Sequence, residues 1–480
     1  MRYGFFAIFF SLLQYILPAQ ANSQLYPKHS KANIDSLISV IKNNRDSYIK
    51  KNQKEDTHII YELRKGYEER IKEIETLCKN DYLYWDDTVA HYLKNLVLKI
   101  QSGSPFIKKD IILMLIKTVV PNASSWGDNI IIINTGIIAR YSNEAELAYI
   151  ICHELAHDYL DHIFKAERTN YLLTKKMNFG HKYRKAQRAK YNTSNKVNSV
   201  LEEYLSAVTS YSRKDELQAD SLGAALLIRA GYSSTNAVNS LKLLSVIDDA
   251  FFTDTLDLRT IFSGKDFSFN DDWLKQEPID TRLYREKLND SLNTHPHCKY
   301  RIGALIREFG IDTTKALPGK NINIDLLNQK AYYEDMQVSF KEKNYLLSLY
   351  HGLQLLKKHP GDNYLISTIC GSMFHISYAL KKHRFSYYVS LPDPDYDKDL
   401  NSLISFLNNL SFKDFKNLTL QFYQKNFAAG EEIYSARAKF YCEAIGLDDD
   451  ELLKRVKIYD TPEKNDKFED ILIELDNAKK

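Results

Sequence analysis

The stretch His153-Glu154-Leu155-Ala156-His157 sets two imidazoles and a carboxylate within one helical turn. On a helix, positions i and i+4 share a face, so both rings can bind one zinc ion. Glu154 sits beside them, where its carboxylate can reach water held at that metal. A zinc that does chemistry needs a third protein ligand and one position left for water. A chance H-E-x-x-H on an ordinary core helix has no such partner, so the third ligand is the deciding feature.

Spacing separates the possibilities. A ligand His six residues beyond His157, after a Gly at three, would be the metzincin pattern; those positions hold Ile163 and Leu160. A thermolysin-like Glu about 19 residues on would fall near Lys176, and no Glu lies close to it. The better candidate is Arg213-Lys214-Asp215-Glu216-Leu217-Gln218-Ala219-Asp220, followed by Gly223. Glu216 and Asp220 lie one turn apart on one face. Glu216 can therefore ligate the metal while Asp220 accepts from a ligand imidazole and sets its tautomer. The competing reading is a solvent-facing acidic pair. Ala219, Leu222, Gly223, Leu226 and Leu227 weaken it by marking the helix as packed. His162, five residues past His157, has a poor angle for the same metal and is left out.

These residues need elements to hold them. A polar helical stretch spans Lys31 to Lys79, and a second helix runs around Asp86 to Gln101. Ile111 to Val120 and Asn129 to Asn134 are β-branched runs, the first helical in part, the second a strand with an exposed edge above the metal helix. Pro121 to Asp128 is a loop between them. Asn143 with Glu146 makes a capping box. Leu147 to Cys152 is apolar almost all round, so that helix is buried and carries His153 inside, with Cys152 as a small buried hydrophobe. Between Phe164 and Asn198 the chain is basic (Lys175, Lys176, Lys182, Arg184, Lys185, Arg188, Lys190). It fits a solvated helical insertion over the site better than a polyanion-binding or membrane-binding patch. From Asn321 to Lys382 the pattern is helix, turn, helix. The helix entered at Phe340 to Tyr345 ends at His359-Pro360, an arrangement similar to a tetratricopeptide repeat. Ser348 and Leu355 hold the usual Ala positions and no second copy is clear, so an ordinary helical hairpin fits equally.

Composition narrows the classes. With 65 basic and 62 acidic residues the chain offers no case for nucleic-acid binding. Its 480 residues suit two or three domains. Arg2, the apolar run Phe5 to Leu17 and Ala19-Gln20-Ala21 form an export signal with cleavage near Ala21, too short an apolar run for a membrane anchor. No cysteine follows that point, and Lys117 interrupts the next apolar run, so a periplasmic or secreted protein without a transmembrane segment is expected. The five cysteines include no C-x-x-C pair, which disfavours a thiolate zinc site; their pairing is not legible.

Taken together, Tyr82 to Phe309 resembles the M48 family of zinc metallopeptidases, the group of the CAAX prenyl protease and of soluble periplasmic peptidases. Four blocks carry the likeness: Asn122-Ala123 with Ile130 to Gly136; Asn143 to Leu147 leading into His153 to His157; Arg213, Glu216, Ala219 and Asp220; and His295-Pro296 with Arg301. The prenyl protease has many membrane spans and this chain has none, so the soluble members are the nearer comparison. The resemblance implies one zinc per chain on His153, His157 and Glu216, with Glu154 as general base. Asp220 would support a ligand from behind, and Arg301 would orient the carboxylates or pin its motif without a catalytic role. His295 would be an oxyanion donor or a fourth metal ligand, against an equal case for a structural His beside a turn.

The expected fold is mainly α with a small β-sheet, an α+β zincin-like peptidase domain followed by a helical, tetratricopeptide-like C-terminal region. The expected boundaries are signal 1–21, helical segment 22–81, peptidase domain 82–310, helical region 321–455 and charged tail 456–480. The expected function is an exported zinc endopeptidase acting on peptides or unfolded proteins in envelope quality control, with the C-terminal helices open to a protein partner. A largely latent peptidase serving as chaperone or assembly scaffold is the alternative; a zinc hydrolase of non-peptide amides is weaker.

Overall fold

The computed structural model describes residues 31–84, 86–107, 111–127, 129–141, 143–176, 178–188, 213–245, 255–264, 268–275, 298–312, 322–393, 396–427, 432–459 and 471. The signal segment 1–21, His295-Pro296 and most of the charged tail lie outside them. The fold is mainly α with one small sheet.

The polar N-terminal stretch is two helices, α1 (Lys31–Lys51) and α2 (Thr57–Lys79), because Asp56 accepts from the His58 amide at 2.9 Å and starts a new helix. Next comes α3 (Asp87–Gly103), capped by Asp86 on the Val89 amide. Three strands follow: β1 (Ile112–Ile116), β2 (Ala123–Gly127) and β3 (Ile130–Asn134). Their order is β1-β3-β2, with β1 parallel and β2 antiparallel to β3; Ile112 pairs with Ile130 and Ser124 with Ile132.

This topology corrects three expectations. Ile112–Ile116 is strand, not helix. Asn129 to Asn134 is not an edge: Ile130–Asn134 is the central strand, buried at every residue, as an unbroken β-branched run requires when both faces are covered. The edge is β2, inside the stretch expected to be a loop. Its Ala, Ser and Gly residues carry no strand signal of their own, and β3 supplies the pairing that makes them one. The far side of β1 is taken by an isolated bridge from Leu83 to Ile116.

Beyond β3, the short α4 (Thr135–Ile138) leads to α5 (Glu144–Tyr159), capped by the Asn143 side chain on the Glu146 amide at 3.0 Å. The chain leaves α5 through Asp161, whose φ of 58° is left-handed, and enters α6 (His162–Lys176) and α7 (Phe179–Gln187). The described part of the basic insertion thus packs along α2 and β2. Residues 213–229 form α8, followed by α9 (Thr235–Leu244), α10 (Leu258–Phe262) and α11 (Cys298–Phe309).

The C-terminal region begins with α12 (Ile322–Lys341), packed on α4. A three-residue turn places α13 (Tyr345–Lys358) beside it, and α14 (Asn363–Lys381) follows after His359-Pro360. Four further helices complete it: α15 (Lys398–Asn408), α16 (Phe412–Asn426), α17 (Glu432–Ala444) and α18 (Asp449–Tyr459). One contiguous apolar core joins these helices to the sheet and the helices that precede them, from Tyr84 through Leu155 and Met336 to Val456. Among the described residues no helix is long and apolar enough to cross a membrane.

Candidate metal centre

Two helices build the site by crossing at backbone contact. α5 is buried along most of its length, so His153 and Glu154 enter the interior with it. α8 passes over it at Gly223, where an added Cβ would stand only 3.1 Å from His153 Cα and N. A side chain there would push the helices apart by a few tenths of an ångström, and glycine avoids it. That approach brings Glu216 and Asp220, two turns and one turn upstream on α8, against the two histidines.

His153 Nε2 lies 3.1 Å from His157 Nε2 and 3.5 Å from Glu216 Oε2; His157 Nε2 lies 3.5 Å from Glu216 Oε1. These three residues are the one group among those described whose donor atoms could hold a metal ion. Atoms each about 2.0–2.2 Å from a tetrahedral zinc lie about 3.4 Å apart. The two imidazole nitrogens are separated as two ligands of one such ion would be, each faces one oxygen of the Glu216 carboxylate at 3.5 Å, and two imidazoles with one carboxylate are a donor set that zinc accepts. The residues fit the metal.

Each part of the set is held from behind. Asp220 Oδ1 is 3.1 Å from His153 Nδ1 and accepts from Tyr149 Oη at 2.8 Å. Arg301, carried in by α11, donates to both Asp220 oxygens (Nε 2.7 Å, Nη2 2.6 Å) and stands 3.2 Å from Glu216 Oε2. Burial pushes the Asp220 carboxyl up, but the Arg301 and His153 hydrogen bonds outweigh it and hold the group well below the usual carboxylate range. The guanidinium, despite its burial, is held charged in turn by the Asp220 and Glu216 carboxylates. Burial opposes protonation of His153, yet contact with Asp220 and Glu216 raises it to about 10. His157 goes the other way: burial and the neighbouring His153 lower it to about 3.

The Glu154 carboxylate does not point at this triangle's rear. Its Oε2 accepts from the backbone amide of Ser125 in β2 at 2.6 Å, tying the carboxylate to the edge strand. β2 is further fixed by Arg70 of α2, which donates to Trp126 O at 2.9 Å, and the hairpin turn by Asp158, which accepts from the Asn129 amide.

Of the residues singled out in sequence, His153, Glu154, His157, Glu216, Asp220 and Arg301 converge here. His295 lies outside the described residues. Sequence reasoning missed Tyr149, which had a signal, since it precedes His153 by four residues on the same face of α5. His162, left out as a ligand of the same metal, is not in the cluster, but its contact with His157 had no signal in the sequence. The helix stops at Tyr159, and the left-handed Asp161 turns His162 back until its Nδ1 is 3.0 Å from His157 Nδ1.

Residues 89–308 match the model of peptidase family M48, a span that holds all six converging residues. No curated protein matches the chain.

Proposed function

The segment 89–308 is a peptidase family M48 domain, and from that premise we propose that the chain is a zinc-dependent endopeptidase with Glu154 as its general base. The observation that carries this reading is the His153–His157–Glu216 cluster, in which the two ring nitrogens stand 3.1 Å apart and each faces one oxygen of the Glu216 carboxylate at 3.5 Å, a grouping that suits one zinc ion. Bound there, zinc supplies Lewis acidity, acidifying water toward neutral pH and polarising a carbonyl oxygen. Glu154 takes the proton of the attacking water and returns it to the leaving amine. Its hydrogen bond from Ser125 keeps the carboxylate aimed and places the backbone of β2 beside the reacting group.

β2 is the sheet edge on the site side, so an extended substrate adds to it as a further strand. Main-chain pairing tolerates many sequences, which suits peptides and unfolded segments. The export signal read in residues 1–21 places this activity outside the cytoplasm, in envelope protein quality control. His295 would join the site from the segment preceding α11, as oxyanion donor or further ligand.

The test is cleavage of an unfolded protein such as casein by the full chain, with metal analysis of the same samples. Wild type should carry one zinc and cleave; Glu154→Gln should keep the zinc and lose activity by a factor of at least about 100. Zinc-free wild type, or an undiminished Glu154→Gln, would overturn the reading.

A further inference from the structure

We infer that His162 is a positioning residue of the metal centre: it accepts the Nδ1 hydrogen of His157 and so fixes Nε2 of that ring as the metal-facing nitrogen. This rests on the triangle being a metal site. His157 Nε2 points at His153 and Glu216, while the opposite nitrogen, Nδ1, lies 3.0 Å from His162 Nδ1. To offer a lone pair at Nε2, a neutral imidazole must carry its hydrogen at Nδ1. His162 Nδ1 is then the acceptor, and its own hydrogen must sit on Nε2. That nitrogen has acceptors in reach, Gln218 Oε1 at 3.4 Å and Asp215 Oδ1 at 3.7 Å, both on α8. Each tautomer dictates the next.

The surroundings make this arrangement hard to replace. His162 is 3% exposed, so water has little room to substitute for it. The two rings meet edge to face, 4.9 Å apart at 76°. The turn that delivers His162 is pinned from α1, where Tyr48 Oη donates to Asp161 Oδ1 at 2.5 Å. α8 therefore serves both ligand histidines: Asp220 backs His153 directly, and Gln218 with Asp215 back His157 through His162. The second support adds a neutral acceptor to a site already holding the carboxylates of Glu216 and Asp220.

The experiment is chelator competition for zinc, and the visible spectrum of the cobalt(II) form, on full-length His162→Asn, His162→Gln and His162→Phe. The Asn amide oxygen reproduces the acceptor at the Nδ1 position; the Gln oxygen falls at the Nε2 position instead, and Phe offers none. His162→Asn should bind zinc within about threefold of wild type with its cobalt spectrum. Gln and Phe should weaken binding about 10–100-fold and alter that spectrum. Equal affinity in all three variants, whether wild-type or weakened, would overturn the assignment, since packing does not distinguish Asn from Gln. A wild type that binds no metal would instead remove the metal site itself, an outcome separate from any difference among the variants.

Discussion

Among the described residues two aspartates are buried almost completely, and their carboxyls are shifted in opposite directions. Asp220, 1% exposed, stands at the metal centre; Asp335, fully buried, stands where α12 packs on α4. Both suffer the same loss of water. At Asp220 the loss is outweighed by two hydrogen bonds from Arg301 and one contact with His153, and the group stays charged. At Asp335 burial dominates; Arg140 and the Thr135 hydroxyl oppose it too weakly, and the carboxyl rises to about 7. A buried charge persists only where geometry supplies a fork of donors. The candidate metal centre has one in Arg301, whereas the helix interface offers Asp335 no such fork.

The same substitution should therefore act with opposite signs at the two positions. Asp220→Asn leaves Arg301 buried against a neutral amide and should cost about 3–5 kcal/mol, toward the lower end because Glu216 remains 3.2 Å from the guanidinium. Denaturant unfolding at pH 7 checks this. The deficit should shrink as pH falls below the ordinary aspartate value near 3.8, because a depressed carboxylate contributes its stability above that value and loses it in acid. A deficit that stays constant down to pH 3 would mean the carboxylate is not what Arg301 requires.

Asp335→Asn should do the reverse. Protonated, Asp335 can donate to Thr135 Oγ1 at 2.8 Å, leaving that hydroxyl to donate to Thr118 O at 3.1 Å. An Asn amide makes the same pattern. The raised carboxyl is at ease below about pH 4 and loses stability as pH climbs from 3.8 to about 7, a span worth up to about 4 kcal/mol. The variant should match wild type at pH 4 and exceed it at pH 8, by thermal or denaturant unfolding; equal stability at both would show that the interface tolerates the charge.

The smallest effect tests the crossing that brings Asp220 into place. Gly223→Val forces bulk against the His153 backbone, 3.1 Å away, and should cost about 1–3 kcal/mol. It should also weaken zinc binding, because α8 carries Glu216 and Asp220 outward with it. Unchanged zinc affinity in that variant would mean the helices adjust without moving the ligands.

Much of this site was legible because its spacing is helical. His153 and His157 share a face by periodicity, as do Glu216 and Asp220, and the apolar run before His153 foretold its burial. The cap at Asn143 was legible for the same reason, being a local hydrogen bond. β2 was not, because its strand character comes from β3 and not from Ala123 to Gly127 themselves. The approach of His162 to His157 was not legible either, because it depends on the left-handed turn at Asp161.

The sequence by itself determined the pairs His153 with His157 and Glu216 with Asp220, each at single-turn spacing, and hence the chemistry they can share. The tertiary structure alone decided that α8 meets α5 at Gly223, that β2 is the edge holding Glu154 through Ser125, that His162 turns back on His157, and that Asp335 loses its charge. The physical reason is range. Side-chain direction along a helix is set by neighbours three and four residues away. Strand pairing, helix crossing and desolvation are set by partners that the chain brings together only on folding.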